Sequence, residues 1–267
     1  VSAEKLNHRG VELLQALERF GGSARSADLA EALDVSGETV RRTIAGLAEA
    51  GHVQRVHGGV LLSGQDTGGS DFVARMGQRA REKRAIARRI ATEITDGMTV
   101  FLDVSTTTSF VAECLTRRSG LTIVTNGVSV GQALSDRNRT SLHLLGGEMS
   151  NRDNGTFGTL TETQAARFAY DLAIFGVDAI SVSQGYLYHS PPEAALAGVV
   201  ARGAARIVVG ATGEKLHSTA PHKGLLPGQV DMLVCDSTLP PDLATALAAA
   251  GTRLVVVDPA PEPQPAT

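Results

Sequence analysis

The sequence predicts an α/β protein in two parts, an N-terminal winged helix-turn-helix and a larger, mostly parallel α/β domain behind it. Three observations predict this. Residues 36–51 carry an apolar stripe at helical spacing with arginines on the opposite side. Residues 52–62 then alternate around Gly58-Gly59, as a short β-hairpin does. From about residue 99 onward, short apolar runs alternate with helical segments, the pattern of a sheet covered on both faces.

Taken in order, Leu13, Leu17 and Phe20, with Val11 and Leu14 beside them, mark an amphipathic first helix that Gly21-Gly22 ends. Ser26 opens a short second helix reaching Leu33, and Asp34-Val35-Ser36 makes the tight turn to the third. Ser36 is placed to cap that third helix, although Thr39 stands where a full capping box has Glu. Val40, Ile44 and Leu47 stack on one face, Arg42 falls opposite them, and Thr39 and Arg41 flank it. Such a helix has an apolar back and a guanidinium-bearing front, suited to a major groove. The hairpin after it carries Arg55 and His57 near its tip, within reach of phosphate or the minor groove. One amphipathic helix alone would read as a solvated surface element. Three helices, a tight turn and a wing together point to double-stranded DNA, with Ser36, Thr39, Arg41, Arg42, Arg55 and His57 as the candidate DNA-facing set.

Charge narrows the mode of binding. The net charge is -3, so the chain is no generic polyanion binder, and residues 1–62 are close to neutral. Specific binding by such a module is expected of a homo-oligomer, a dimer or tetramer that presents the basic face twice. The run Arg75, Arg79, Arg81, Lys83, Arg84, Arg88 and Arg89 reads equally well as an ordinary solvated helix face.

Residues 1–62 form the expected DNA-binding domain and the polar, glycine-rich stretch from Ser63 begins a linker over 63–77. Residues 78–258 form the second domain, and the proline-rich 259–267 is expected to be disordered. No apolar run approaches the ~20 residues of a membrane helix, and no secretory signal pattern is present. Cys114 and Cys235 lie far apart in apolar segments, the expected free thiols of a cytoplasmic protein. The seven histidines show no ligand spacing, so neither metal nor cofactor is expected.

In the second domain a basic helix is expected over roughly 78–94. Strands are expected at 99–102, 121–125, 142–145, 172–175, 207–209, 232–235 and 254–257, and helices at 109–115, 128–134, 161–170, 192–204 and 241–250. Ligands of such sheets bind beyond the carboxyl ends of the strands. Polar and glycine residues collect there: Asp103 to Thr108, Asn126-Gly127, Gly146-Gly147-Glu148 and Gly176-Val177-Asp178. Ser105, Thr106, Thr107 and Thr108 offer hydroxyls and main-chain N–H groups at a helix start, a natural phosphate cradle, and Lys215 adds a positive charge.

The stretches VSGETVRRTIAGLAEAGHVQRVHGGVLL, EKRAIARRIATEITDGMTVFLDVSTTT, TIVTNGVSV, LLGGEM and FGVDAIS, in this order, resemble the DeoR family of transcriptional regulators over essentially the whole chain. The resemblance implies a winged helix-turn-helix joined to a sensor fold shared with ribose-5-phosphate isomerase and CoA transferases. It implies a repressor of carbohydrate metabolism whose DNA affinity changes when a phosphorylated sugar effector binds. Carried over, the effector site falls on Asp103, Ser105, Thr106, Thr107, Asn126, Gly146, Gly147, Asp178, Glu193 and Lys215, and the residue reading adds Thr108.

Three positions depart from the family pattern. Thr43 replaces an aspartate after Arg41-Arg42, Ser105 replaces a glycine of the phosphate loop, and Ala211-Thr-Gly-Glu-Lys215 replaces Ala-Asp-Ser-Ser-Lys. Gly46, inside the third helix, costs about 1 kcal/mol relative to alanine. The competing functional class is a sugar-phosphate isomerase with an added DNA-binding module, using Asp103, Asp178 or Glu193 as base and Lys215 as electrophile. No nucleophile–base pairing is visible in the sequence, so the expectation is a regulator and not an enzyme.

Overall fold

The computed structural model describes residues 8–20, 23–56, 59–62, 72–136 and 139–259. His57, most of the expected linker and the tail beyond residue 259 lie outside these.

The N-terminal module contains α1 (His8–Arg19), β1 (Ser23–Arg25), α2 (Ser26–Ala32), α3 (Gly37–Glu49), β2 (Val53–Val56) and β3 (Gly59–Leu62). Its core joins the predicted Leu13 and Leu17 of α1, Val40, Ile44 and Leu47 of α3, and Val53 and Val60 of the wing with Leu29 of α2, which the sequence did not single out. Asp34 turns the chain between α2 and α3 at φ 50°, a left-handed conformation that Asp tolerates better than most residues. The sequence reading missed β1, which pairs antiparallel with β3 and makes the wing a three-stranded sheet of order β1-β3-β2.

The second domain opens with α4 (Phe72–Gly77), so the last residues assigned to the linker are helical and bury Phe72. Then follow α5 (Ala80–Ala91), β4 (Thr99–Leu102), α6 (Thr106–Cys114), β5 (Leu121–Thr125), α7 (Val128–Leu134), β6 (Thr140–Leu144), β7 (Glu148–Ser150), β8 (Gly155–Phe157) and α8 (Thr159–Ala165). The chain continues through β9 (Leu172–Phe175), β10 (Ala179–Ser181), β11 (Gly185–Tyr188), α9 (Pro191–Ala201), β12 (Ile207–Ala211), β13 (His222–Leu225), β14 (Met232–Cys235), α10 (Pro241–Ala249) and β15 (Arg253–Val256).

Seven strands form one parallel sheet of order β15-β14-β12-β9-β4-β5-β6. Side chains alternate across it. Val100, Leu102, Leu172 and Ile174 face α5, α6 and α7, whereas Phe101, Ala173, Phe175 and Val209 face α9 and α10. Chain order reverses between β4 and β9, because β5 and β6 add on one side of that pair and β12, β14 and β15 on the other. The crevice beyond the carboxyl ends of β4 and β9 is where such a sheet leaves room for a ligand. Two small antiparallel elements, β7-β8 and β10-β11-β13, were not foreseen.

Candidate functional site

Two surfaces carry the predicted functional residues. The first is the outer face of α3. Ser36 caps it as expected, its hydroxyl accepting the Thr39 N–H at 3.2 Å. Arg42 and Arg55 are exposed. Arg41 reaches back to Glu38 at 2.9 Å, with both side chains largely in water. An ion pair so exposed is worth little, so Arg41 can exchange Glu38 for a phosphate at small cost. Thr43 donates its hydroxyl to Thr39 O at 2.9 Å, spending that group on the helix itself. A Cβ placed on Gly46 meets no atom within 4 Å, so no packing inside the chain requires glycine there.

The second surface is a cleft of about 110 Å³ at the strand-order reversal. A single water needs roughly 10–15 Å³ by that measure, so the cleft has room for a small metabolite. Its floor is the loop from β4 into α6. Ser105 caps α6, its hydroxyl accepting the Thr108 N–H at 3.1 Å, which leaves Thr106 and Thr107 as first-turn donors at the positive end of the helix. This capping starts α6 three residues earlier than the sequence reading placed it. Gly176 makes room for Ser105, because a Cβ there would lie 2.4 Å from Ser105 Cβ.

Both signs of charge meet in the cleft. Lys83 of α5 is buried, donates to Arg75 O, and is pushed down to about 8 by burial and by the nearby Lys215 charge. Lys215 stands 3.7 Å from Asp178. Burial works to raise Asp178, but the charges of His189 and Lys215 and the His189 N–H at 2.8 Å outweigh it and hold the carboxyl below its usual range. Glu193, in the first turn of α9, is driven well above the usual carboxylate range by burial and by the nearby Asp178 charge. Burial raises Asp103 to about 6, against the opposing pull of the Ser105 and Gly176 N–H groups at 2.9 and 3.0 Å. Asp103 thereby ties the β4 loop to the β9 loop across the switch point. Tyr188 Oη and His189 Nδ1 are buried here without hydrogen-bond partners among the described residues.

The cleft therefore collects Asp103, Ser105, Thr106, Thr107, Asp178, Glu193 and Lys215 of the predicted set. Thr108 is fully buried and its hydroxyl serves Asp103 O and Ser105 O, so it braces the loop. Asn126 lines a narrow extension behind Asp103 and Tyr188. Gly146 and Gly147 lie away from the cleft. Gly146 N donates to Gln164, and Gly147, at φ 151°, sits against Thr161 and Phe157, where a Cβ would clash at 2.1 Å. Glycine at 147 is required by that close approach of the chain to α8 and β8, whereas a Cβ at 146 would make only ordinary contact with Gln164 and Leu160.

Sequence reasoning missed Lys83, Tyr188, His189 and Phe20 as cleft residues. For Lys83 a signal existed: it precedes Ile86 and Ile90 by three and seven positions, on the buried side of α5. The rest of the basic run is largely engaged inside the chain, Arg75 with Asp153, Arg79 with Glu214, Arg89 with Glu93, and Arg84 over Phe110. No group of three or more His, Cys, Asp or Glu among the described residues is placed to hold a metal. Nor is any helix among them long and apolar enough to cross a membrane.

Comparison with known proteins finds the same two parts. Residues 78–237 match the DeoR C terminal sensor domain, and residues 9–65 match the DeoR-like helix-turn-helix domain. The transcriptional repressor AccR of Agrobacterium fabrum is 32% identical, over 85% of this chain and 87% of its own. The glycerol-3-phosphate regulon repressor of Escherichia coli K12 is 35% identical, over 60% of this chain and 63% of its own. Ribose 5-phosphate isomerase from Plasmodium falciparum aligns with 50% of this chain and 51% of its own at 14% identity and a TM-score of 0.37, too slight a likeness to carry an argument. The named relatives are repressors and not enzymes, as the sequence led one to expect. With a DeoR-type helix-turn-helix and a DeoR-type sensor domain in the order the sequence predicted, this chain is a member of the DeoR family of transcriptional regulators.

Proposed function

We propose that this protein is a cytoplasmic repressor of carbohydrate metabolism that binds operator DNA as a homo-oligomer and changes its affinity when a phosphorylated sugar or related polyol occupies the cleft. The observation that carries the reading is the mixed lining of the cleft. The α6 N-terminus, Lys83 and Lys215 offer an anion site, while Glu193, Tyr188 and His189 in the same cleft offer hydrogen-bonding groups. A phosphate suits the first set because helix N–H groups and ammonium charges both favour it. Hydroxyls suit the second, since buried polar atoms left without partners are costly and a polyol satisfies them.

On DNA, Thr39, Arg41 and Arg42 of α3 enter the major groove, with Ser36 at its start and Arg55 supporting from the wing. Two copies place recognition helices about 34 Å apart on an inverted repeat. Two of the carboxylates that the isomerase reading would use as base are engaged within the chain. Asp103 is held by two backbone N–H groups and Asp178 by Lys215 and His189.

Calorimetric titration of the full chain with glycerol 3-phosphate, ribose 5-phosphate, glucose 6-phosphate and inorganic phosphate tests the cleft. Saturable binding of one sugar or polyol phosphate, without its turnover, is expected. Turnover of an aldose phosphate would overturn the reading in favour of an enzyme.

A further inference from the structure

One cleft residue does not belong to the sensor domain. Phe20, which follows α1 in the DNA-binding module, lines the cleft together with Lys83, Lys215 and Ser218. It gets there because the module rests on the short segment after β12. Thr212, Glu214, Lys215 and Ser218 of that segment face the cleft. Interleaved with them, His217 and Thr219 face the module. His217 O accepts the Arg25 N–H at 3.4 Å and His217 Nδ1 stands 3.6 Å from Asp28. Thr219 Cγ2 lies 2.7 Å from where a Cβ on Gly59 would sit, and Arg25 also donates to Ile180 O on β10.

The docking surface is light. Beside the Arg25–Ile180 O bond its main-chain bond is long, its ion pair is part-exposed, and Asp28 keeps one buried oxygen without a partner among the described residues. Contacts of that kind hold a module loosely, so a few favourable interactions elsewhere can decide whether it is docked. Gly59 is the first residue of β3 and pairs with Val56 at the turn end of the hairpin, so a docked module has that end of its wing pinned to the sensor. A wing fixed there is not free to follow a groove.

We propose that Phe20 is a ligand-contacting residue supplied by the DNA-binding module, so that an occupied cleft selects the docked arrangement and draws the wing away from DNA. This rests on the cleft binding a phosphorylated polyol, as argued above, and adds how occupancy reaches the recognition helix. A ligand shifts the balance only by its preference for one arrangement, and Phe20 provides that preference because it completes the cleft only when docked. Residues 212–219 are the shared wall, touching ligand on one side and module on the other.

The chain contains no tryptophan, so Phe20→Trp installs a single reporter at the proposed contact. The test titrates full-length wild type, Phe20→Trp and His217→Ala with the sugar phosphates named above. His217 lies outside the cleft and is half exposed, so its removal reports on docking alone and keeps the test valid should Phe20→Trp fold poorly. The expected results are a change in indole emission that tracks calorimetric occupancy, and a three- to tenfold weaker ligand affinity in His217→Ala. On an operator fragment recovered by occupancy mapping, His217→Ala should bind DNA at least as tightly as wild type and be released less by ligand. Wild type that binds ligand while the indole is silent and His217→Ala is unaltered would overturn the coupling and leave the effector site standing. Absence of binding by wild type to any sugar phosphate would overturn the effector site itself, and the coupling with it.

Discussion

The recognition helix and the sensor cleft use charge in opposite ways. On α3, Arg41 and Arg42 stand in water, and the Arg41–Glu38 pair is 67% and 78% exposed. In the cleft, Lys83 is 6% exposed, Asp103 is buried, and both titrate near the physiological range, at about 8 and about 6. Exposed charge is always on and strongly screened by salt, which suits a long polyanion met in solution. Buried charge responds to protons and to a single small anion, which suits a sensor. The contrast teaches where each kind of sensitivity resides: salt should act on DNA binding and pH on the ligand.

Four measurements separate the roles of exposed and buried charge. Lys83→Gln has the largest expected effect. It removes a charge-assisted contact worth about 1.5–3 kcal/mol, roughly 10- to 150-fold in ligand affinity by calorimetry, with DNA affinity in the absence of ligand unchanged. If DNA binding falls equally, Lys83 belongs to the basic face after all.

Arg42→Ala comes next, with about 1–3 kcal/mol of operator affinity lost and ligand binding intact. Arg41→Ala should weaken all sequences alike and lower the salt slope by about one. Equal losses on operator and random DNA for both arginines would remove base readout from this helix.

The third concerns pH. Lys83 is depressed in the fold, so it sheds its proton as pH rises through about 8. A phosphate monoester, with its second pKa near 6, is already dianionic by then. Ligand affinity should therefore fall between about pH 7.5 and 9, read by titration across that range. The stability term runs the other way. The unfolded lysine stays charged to about 10.4, so the folded state binds fewer protons over that interval. Its contribution is present at high pH and is lost as pH falls through about 8. Affinity that is flat over the same interval would show that Lys83 does not meet the phosphate.

Gly46→Ala is the smallest. With open space around its Cβ position, alanine should stabilise α3 by about 1 kcal/mol, visible as a raised Tm. An unchanged operator affinity would mark Gly46 as tolerated, and a fall would mean that DNA approaches the helix backbone there.

The same contrast explains what the sequence disclosed. The DNA-binding module was legible because its information is local: Ser36, Val40, Ile44 and Leu47 lie within one helix and its cap. Strands β4, β5, β9 and β14 match the predicted limits because both faces are buried and the apolar run ends where the strand does. The cleft was half legible. Residues at strand ends were found by the rule that loops beyond a parallel sheet converge, yet Gly146 and Gly147 obey that rule and lie outside the cleft, Gly147 being crowded against Thr161 and Phe157 instead. Lys83 was hidden in a basic run whose other members are mostly paired or exposed, and burial, which sets it apart, is a tertiary property. The β10-β11-β13 sheet escaped notice because its strands span three or four residues and a register shift at Tyr186/Leu187 breaks their pattern. Phe20 was read as core of its own module, and it is partly that. Nothing local to residue 20 says that a second domain comes to rest on it.

The central claim is that one phosphorylated ligand and one DNA site compete through this chain. Its most direct test is occupancy of the purified full-length protein on sheared host DNA, mapped with and without each sugar phosphate. The account predicts discrete sites containing inverted repeats, emptied by one metabolite and indifferent to the others. Sites that persist through every phosphate, or an absence of discrete sites altogether, would contradict it.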